Sequence, residues 1–238
     1  MPDLPPNVLA ALTGFISGLL LSIPVGPINL TIMNEGARRG FFWALMIGLG
    51  ATAMEVIYCF IAFTSLASFF DHGYVKAIME LGSFLFMLYL GIKFLKAKSV
   101  ETRVHLVDAT DKIEEQFQHQ IEVRLHPTSA FMTGFVRVMG NLGVPVFWVI
   151  FAANFISHEW VPPDWPGKLS CVGGVAIGTG TWFVGLSWLV SLGHGKFSEK
   201  TLLKMEHISG AGLLVFAAIH GANIVRQLAH IARHRHGG

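Results

Sequence analysis

Charge is what this sequence has least of. Asp, Glu, Lys and Arg make up 13% of its 238 residues, about half of the ~25% carried by ordinary soluble domains. That shortage excludes a conventional water-facing globule. The net charge of +2 is too small for the basic face that a nucleic-acid binder needs. Cysteine is nearly absent as well. Cys59 and Cys171 lie in separate apolar segments and offer no disulfide framework, no zinc spacing and no CxxC redox pair. The first residues, Met1-Pro2-Asp3-Leu4-Pro5-Pro6, lack a basic n-region, and no small-residue cleavage site follows the first apolar run. That run is expected to be a retained span rather than a signal peptide.

What the chain does have is apolar length. Hydrophobic residues make up 53% of it, with a mean hydropathy of +0.56. They gather in six segments, roughly 8–33, 41–70, 75–96, 128–157, 168–193 and 203–227, each near or above the ~20 residues that a spanning helix requires. The expected fold is therefore an all-α polytopic membrane protein of six transmembrane helices. The 26 glycines fit membrane helices that approach one another closely. Lys and Arg counts set the expected orientation. Eleven fall in the first, third and fifth connections and five on the other side, which favours both termini outside. The basic C-terminal tail argues the other way.

The first apolar segment is interrupted at Pro24-Val25-Gly26-Pro27. Neither proline can donate to the preceding turn, and open backbone at membrane depth is tolerated only where protein or water covers it. A second interruption, Gly140-Asn141-Leu142-Gly143-Val144-Pro145, lies in the fourth segment. The two are related by an internal repeat. Thr13-Gly14-Phe15 recurs as Thr133-Gly134-Phe135 and Asn34 as Asn154, both offset by 120, while Gly82 and Gly91 match Gly212 and Gly221 at an offset of 130. Three spans per repeat is an odd number, so the second copy is expected to enter the membrane inverted. Such repeats place a substrate site near the midplane at paired broken helices. The domains read as residues 1–97, a first three-helix repeat; 98–126, a charged cytoplasmic linker; and 127–238, a second three-helix repeat with a basic, His-rich tail.

The candidate substrate-binding residues follow from the breaks: Pro24, Gly26, Pro27, Asn29, Asn141 and Pro145. Gly26 is expected to cap a restarted helix with Pro27 at its first position. The amides of Ile28, Asn29 and Leu30 then form a partial positive end suited to a carboxylate, and the carbonyls of Leu20 and Ile23 are free to meet an ammonium. Asn29 and Asn141 add side-chain hydrogen bonds, either to substrate or between helices. Glu55 stands among apolar neighbours, where ionisation is costly, and reads as a proton-coupling carboxyl. The alternative is an acid paired with Arg137 or satisfied by hydroxyls. Arg137 itself is a candidate charge partner, for Glu55 or for a substrate carboxylate, unless it snorkels to the interface. Gly174 and Gly178 form a GxxxG pair expected to pack the fifth span on a neighbour. Glu35, Arg38 and Arg39 read as a solvated cytoplasmic cap, with a gate as the alternative. His220 reads as a packing residue. No catalytic residue, metal site or cofactor is read, and the paired broken helices lead to the expectation of a transporter rather than an enzyme.

The stretch Pro24-Val25-Gly26-Pro27-Ile28-Asn29, followed by Met33-Asn34, Gly36, Arg38-Arg39 and Gly40, resembles the lysine exporter (LysE/RhtB) family of bacterial amino-acid exporters. Gly134-Phe135, Asn141 and the aromatic run to Phe155 resemble that family's second-half segment, although Leu142 stands where the family has a proline directly after the asparagine. The resemblance implies proton-motive-force-driven efflux of an amino acid or derivative from a multi-pass protein of the bacterial inner membrane. Its partners would be a small-molecule substrate and the lipid bilayer, with homo-oligomerisation left open. Two other readings stand beside it. A cation or metal exporter needs several His, Asp or Glu at the midplane. A membrane thiol–disulfide carrier needs Cys59 and Cys171 within bonding reach.

Overall fold

The computed structural model describes residues 4–24, 26–66, 73–96, 129–157, 159–192 and 199–236, together with 116, 120, 121 and 125. Its helices are α1 (Pro6–Ser22), α2 (Pro27–Arg39), α3 (Phe41–Leu66), α4 (Gly73–Leu95), α5 (Ala130–Met139), α6 (Gly143–Ser157), α7 (Trp165–Ser191) and α8 (Glu199–His236). The linker expected at 98–126 falls almost entirely outside the described residues.

Among the described residues, three helices are long and apolar enough to cross a bilayer: α3, α7 and the Leu203–Arg226 part of α8. Two bent pairs pass the same test together, each as a broken span or a re-entrant loop. α1 and α2 meet at 71°, and α5 and α6 at 67°. In α4, Phe84–Leu95 is a shorter apolar stretch. The architecture is that of an all-helical, multi-pass membrane protein. Its boundaries differ from expectation in two places. The first connection, expected over Asn34–Gly40, shrinks to Gly40, because α2 continues through Arg38 and Arg39. Gly40 stops α2 at φ 87, with its amide on the Gly36 carbonyl at 2.8 Å, a left-handed cap that glycine adopts without Cβ strain. At the other end, α8 carries the chain helically to His236, past the 227 at which the sixth apolar segment ends.

Packing follows the small residues. The most extensive contact is α1 against α7, followed by α3 against α5. A Cβ at Gly14 would collide with the Cys171 carbonyl, and one at Gly174 with the Ala11 carbonyl. On the other pair, Cβ atoms at Gly134 and Gly50 would collide with the Ile47 and Phe131 carbonyls. These contacts are reciprocal. Gly14 and Ala11 of α1 stand 120 residues before Gly134 and Phe131 of α5; Ile47 and Gly50 of α3 stand 124 before Cys171 and Gly174 of α7. The GxxxG pair serves packing as expected, with Gly178 set against Phe15. α3 and α7 also pack against each other, and α4 packs against α8. Around this frame sit two apolar clusters. One holds Phe147, Trp148, Phe151 and Phe155 with both cysteines. The other joins Ile32, Ile47, Phe183 and Leu186.

Candidate functional site

The first break is built as its prolines dictate. α1 ends at Ser22, and Gly26 caps α2 in extended backbone with Pro27 at the first turn. The first intrahelical bond of α2 runs from the Leu30 amide to the Gly26 carbonyl, 3.1 Å. The Leu30 amide is therefore taken, contrary to expectation, while those of Ile28 and Asn29 precede the ladder, as at any helix start. The carbonyls of α1 are largely claimed too. Asn29 Nδ2 donates to the Ser22 carbonyl at 2.8 Å and the Pro24 carbonyl at 2.6 Å. Ser209 of α8 donates to the Leu20 carbonyl at 2.8 Å, so that carbonyl is not open to an ammonium as the sequence led us to expect. Asn29 is buried, 1% exposed, and its Oδ1 accepts from Trp182 Nε1 at 3.2 Å. Both ends of its amide are thus used to brace the bend.

The second break is braced differently. Asn141 lies in the bend itself, and its Oδ1 accepts from the amides of Gly143 at 2.9 Å and Val144 at 3.2 Å. That is a side-chain cap on the start of α6. Pro145 comes next, where the missing N–H needs no acceptor. On the α5 side, Tyr58 of α3 donates to the Met139 carbonyl at 2.8 Å. Tyr58 and Trp182 stand 124 residues apart, the same offset as the glycine contacts, and each long helix sends an aromatic donor to one of the breaks.

Glu55 lies where these elements cross. It is buried, 7% exposed, and accepts from Thr179 Oγ1 of α7 at 3.3 Å. Glu55 and Thr179 are also 124 apart. Gly18 of α1 makes the room, since a Cβ there would stand 2.9 Å from Thr179 Oγ1. Among the described residues no cation pairs with Glu55. Arg137 does not fill that role; it donates to Thr31 Oγ1. Thr31 in turn donates to the Pro27 carbonyl at 2.8 Å, so Arg137 is tied through one hydroxyl to the first turn after the first break.

Arg137 borders a cleft of about 490 Å³. Thr31, Asn34, Glu35 and Arg39 of α2 line one side, with Trp43 of α3. Ser129, Thr133 and Arg137 line the other. Glu35 bonds Arg39 at 3.0 Å and stands 3.7 Å from Arg38; the Arg39 guanidinium lies 4.5 Å from the centre of the Trp43 ring. Of the three residues read as a solvated cap, Glu35 and Arg39 line the cleft, while the Arg38 side chain is 74% exposed. Sequence reasoning named Arg137 and Glu35 but did not bring them together, and it missed Thr179, Tyr58 and Trp182. The 124 offset between α3 and α7 was the signal available for those three.

Cys59 and Cys171 are both buried and free. No group of three or more His, Cys, Asp or Glu is placed to hold a metal ion among the described residues. The side chain of His220 lies outside the described set. Comparison with known proteins adds two findings. Residues 19–221 match the family model described as LysE type translocator. The Bacillus subtilis (strain 168) protein named "Putative amino acid efflux protein YcgF" is 26% identical over 217 residues, covering 91% of this chain and 97% of its own length. No solved structure matches.

Proposed function

The chain belongs to the LysE type translocator family, and from that premise we propose that it exports an amino acid or amino-acid derivative by alternating access, driven by the proton-motive force. The relative named for amino acid efflux supports the substrate class. Residues 1–97 and 127–238 act as two inverted three-helix repeats, with 98–126 as a cytoplasmic linker and both termini outside the bacterial inner membrane. The reciprocal contacts of Gly14 with Cys171 and Gly134 with Ile47 support this reading, because they join matched positions of the two halves.

The observation that carries the mechanism is the pair Glu55–Thr179. A carboxyl buried without a cation favours its neutral form, and opening its surroundings to water lowers the cost of charge. Glu55 thereby exchanges a proton with whichever side water reaches. Its partner stands at the matched position of the other repeat, so rocking one half against the other alters this contact. The broken helices provide the substrate-facing backbone. Pro24, Gly26 and Pro27 shape the start of α2, whose leading amides favour a carboxylate. Asn29 brace-bonds the bend, while Asn141 and Pro145 shape its counterpart.

The test is transport by everted membrane vesicles energised to an acid interior. Wild-type protein is expected to accumulate at least one labelled amino acid from a panel, and Glu55→Gln to abolish gradient-driven accumulation with the protein still in the membrane. Unchanged pH-dependent transport by Glu55→Gln would remove Glu55 from the mechanism. Accumulation of divalent cations alone would replace the substrate class.

A further inference from the structure

We propose that α4 and α8 together form the moving gate of the exporter. In this structure they close the end of the molecule built by α1 and α6; in the other state they leave it and close the end built by α2 and α5. The inference rests on the alternating-access and inverted-repeat reading above and names the part that moves. Three observations carry it.

The first is a division of the apolar interior. Each broken span gives one half-helix to each end. α1 and α6 share an end, where Ala10 and Phe155 belong to one cluster. α2 and α5 share the other, where both line the cleft. The cluster that holds Phe147, Phe151 and Phe155 takes in Met87 of α4 and Leu213 and Ala217 of α8, and among the described residues it includes nothing from α2 or α5. The cluster around Ile32 and Phe183 draws on α2, α3, α5, α6 and α7, and among the described residues it includes nothing from α4 or α8. Apolar burial therefore holds the α4–α8 pair to one end of the molecule.

The second is an asymmetry where the repeat would make contacts equal. The frame obeys the repeat: α1 on α7 is matched by α5 on α3, and the α3–α7 and α4–α8 pairs each map onto themselves. The contacts of the outer pair do not. α4 packs on α6 and α8 touches α1, whereas among the described residues α8 has no comparable packing on α2, nor α4 on α5. Phe86 of α4 meets Phe147 with ring centres 6.0 Å apart, and Phe216 of α8 meets Phe151 at 6.2 Å. Phe86 and Phe216 stand 130 residues apart, the offset of the third and sixth spans, so the pair carries the same residue at matched points. Exchanging the roles of inverted repeats gives the opposite state of such a transporter. Here the exchange places α8 on α2 and α4 on α5.

The third is how the pair is held. A Cβ at Gly210 of α8 would stand 2.9 Å from the Gly91 carbonyl of α4, and one at Gly91 would stand 3.1 Å from the Gly210 carbonyl. Backbones in such contact move as one body. The pair is tied to the frame beside the first break, where Ser209 donates to the Leu20 carbonyl at 2.8 Å and Gly212 admits the Leu20 side chain. A tie placed between the two ends suits a pivot. The α6 rings on which the pair rests are apolar, and such a contact parts without stranding a hydrogen-bonding group.

The experiment measures two distances by pulsed electron paramagnetic resonance of spin-labelled full-length protein in lipid nanodiscs. Cys59 and Cys171 are fully buried, so the label goes to introduced cysteines. Lys200→Cys of α8 with Arg38→Cys of α2 reports on the cleft end, and Val225→Cys of α8 with Val8→Cys of α1 on the other. All four positions are exposed. Between acidic and alkaline buffer, with and without glycine, leucine, lysine or glutamate, the first distance is expected to shorten as the second lengthens. Distances that stay fixed, or that change in the same sense, overturn the inference. A second measurement traps the state seen here. Oxidising Phe151→Cys with Phe216→Cys by copper-phenanthroline is expected to abolish transport in the vesicle assay, and reduction to restore it; continued transport by the cross-linked protein overturns the gate. The two readings fail separately. Opposed distance changes in a protein that transports no amino acid keep the gate and remove the export function. Amino-acid transport with both distances fixed keeps the function and removes the gate.

Discussion

The two broken helices bend almost equally, by 71° and 67°, yet their asparagines face opposite tasks. Asn29 follows its bend and reaches back, donating to the carbonyl of Ser22 at the end of α1 and to that of Pro24 in the break. Asn141 sits within its bend and reaches forward, accepting from the Gly143 and Val144 amides at the start of α6. The aromatic donors differ in the same sense. Trp182 supports the first bend through Asn29, whereas Tyr58 grips the Met139 carbonyl directly. The bend angle is thus set by how the half-helices pack on α3 and α7. Local chemistry has only to satisfy whatever backbone the bend exposes, and more than one side-chain solution does so. The difference has a consequence. α6 begins with its leading amides capped, while α2 begins with a glycine and a proline and no side-chain cap, so the anion-favouring helix start belongs to the first break.

The comparison can be broken most severely at its shared feature. Gly14→Ala and Gly134→Ala each place a methyl against a backbone carbonyl that cannot swing aside. Each is expected to cost about 1–3 kcal/mol or more, read as a loss of thermal stability in detergent and of protein in the membrane. Tolerance at one site alone would show that the two glycine contacts are not equivalent.

Next come the asparagines. Asn29→Ala strands two carbonyls and the Trp182 N–H, at about 1–3 kcal/mol for each buried group left without a partner. Asn141→Ala loses a cap worth about 1 kcal/mol. The conservative exchange separates them more sharply. Asn141→Asp keeps the acceptor and should retain near wild-type melting, whereas Asn29→Asp loses the donor and should not. Equal melting temperatures for the two Asp variants would show that the asparagines do the same work. A smaller effect is expected of Tyr58→Phe, about 1 kcal/mol for the hydrogen bond to Met139, checked by the same melts. The smallest is Arg38→Ala. Its side chain is 74% exposed and its Nη1 lies 3.7 Å from Glu35, so the change in stability should stay within about 0.5 kcal/mol.

Much of the frame was legible in the chain. Proline and glycine have backbone rules that hold in any context, so Pro24, Pro27 and Gly140 announced breaks and Gly26 announced a cap. Six apolar runs and a GxxxG pair announced closely packed helices, and Gly174 and Gly178 do pack α7 on α1. The reading failed where a backbone group found a partner from far along the chain. Ser209 closes the Leu20 carbonyl from 189 residues away, and nothing near either residue signals it. Thr179 escaped notice because a threonine in an apolar helix ordinarily bonds its own preceding turn. The cleft escaped because its residues come from three stretches, each ordinary alone.

By itself, then, the sequence determined which segments are apolar enough for a bilayer, where two of them must break, and which small residues permit backbone contact. These properties depend on local composition and on covalent limits to φ and to donation. Tertiary structure alone decided which way each asparagine reaches, that Glu55 meets Thr179 rather than Arg137, and that Arg137 faces a cavity with Glu35 and Arg39. Those outcomes depend on helix crossing and axial register, and a shift of a single residue in the contact of α1 with α7 would assign each polar group a different partner.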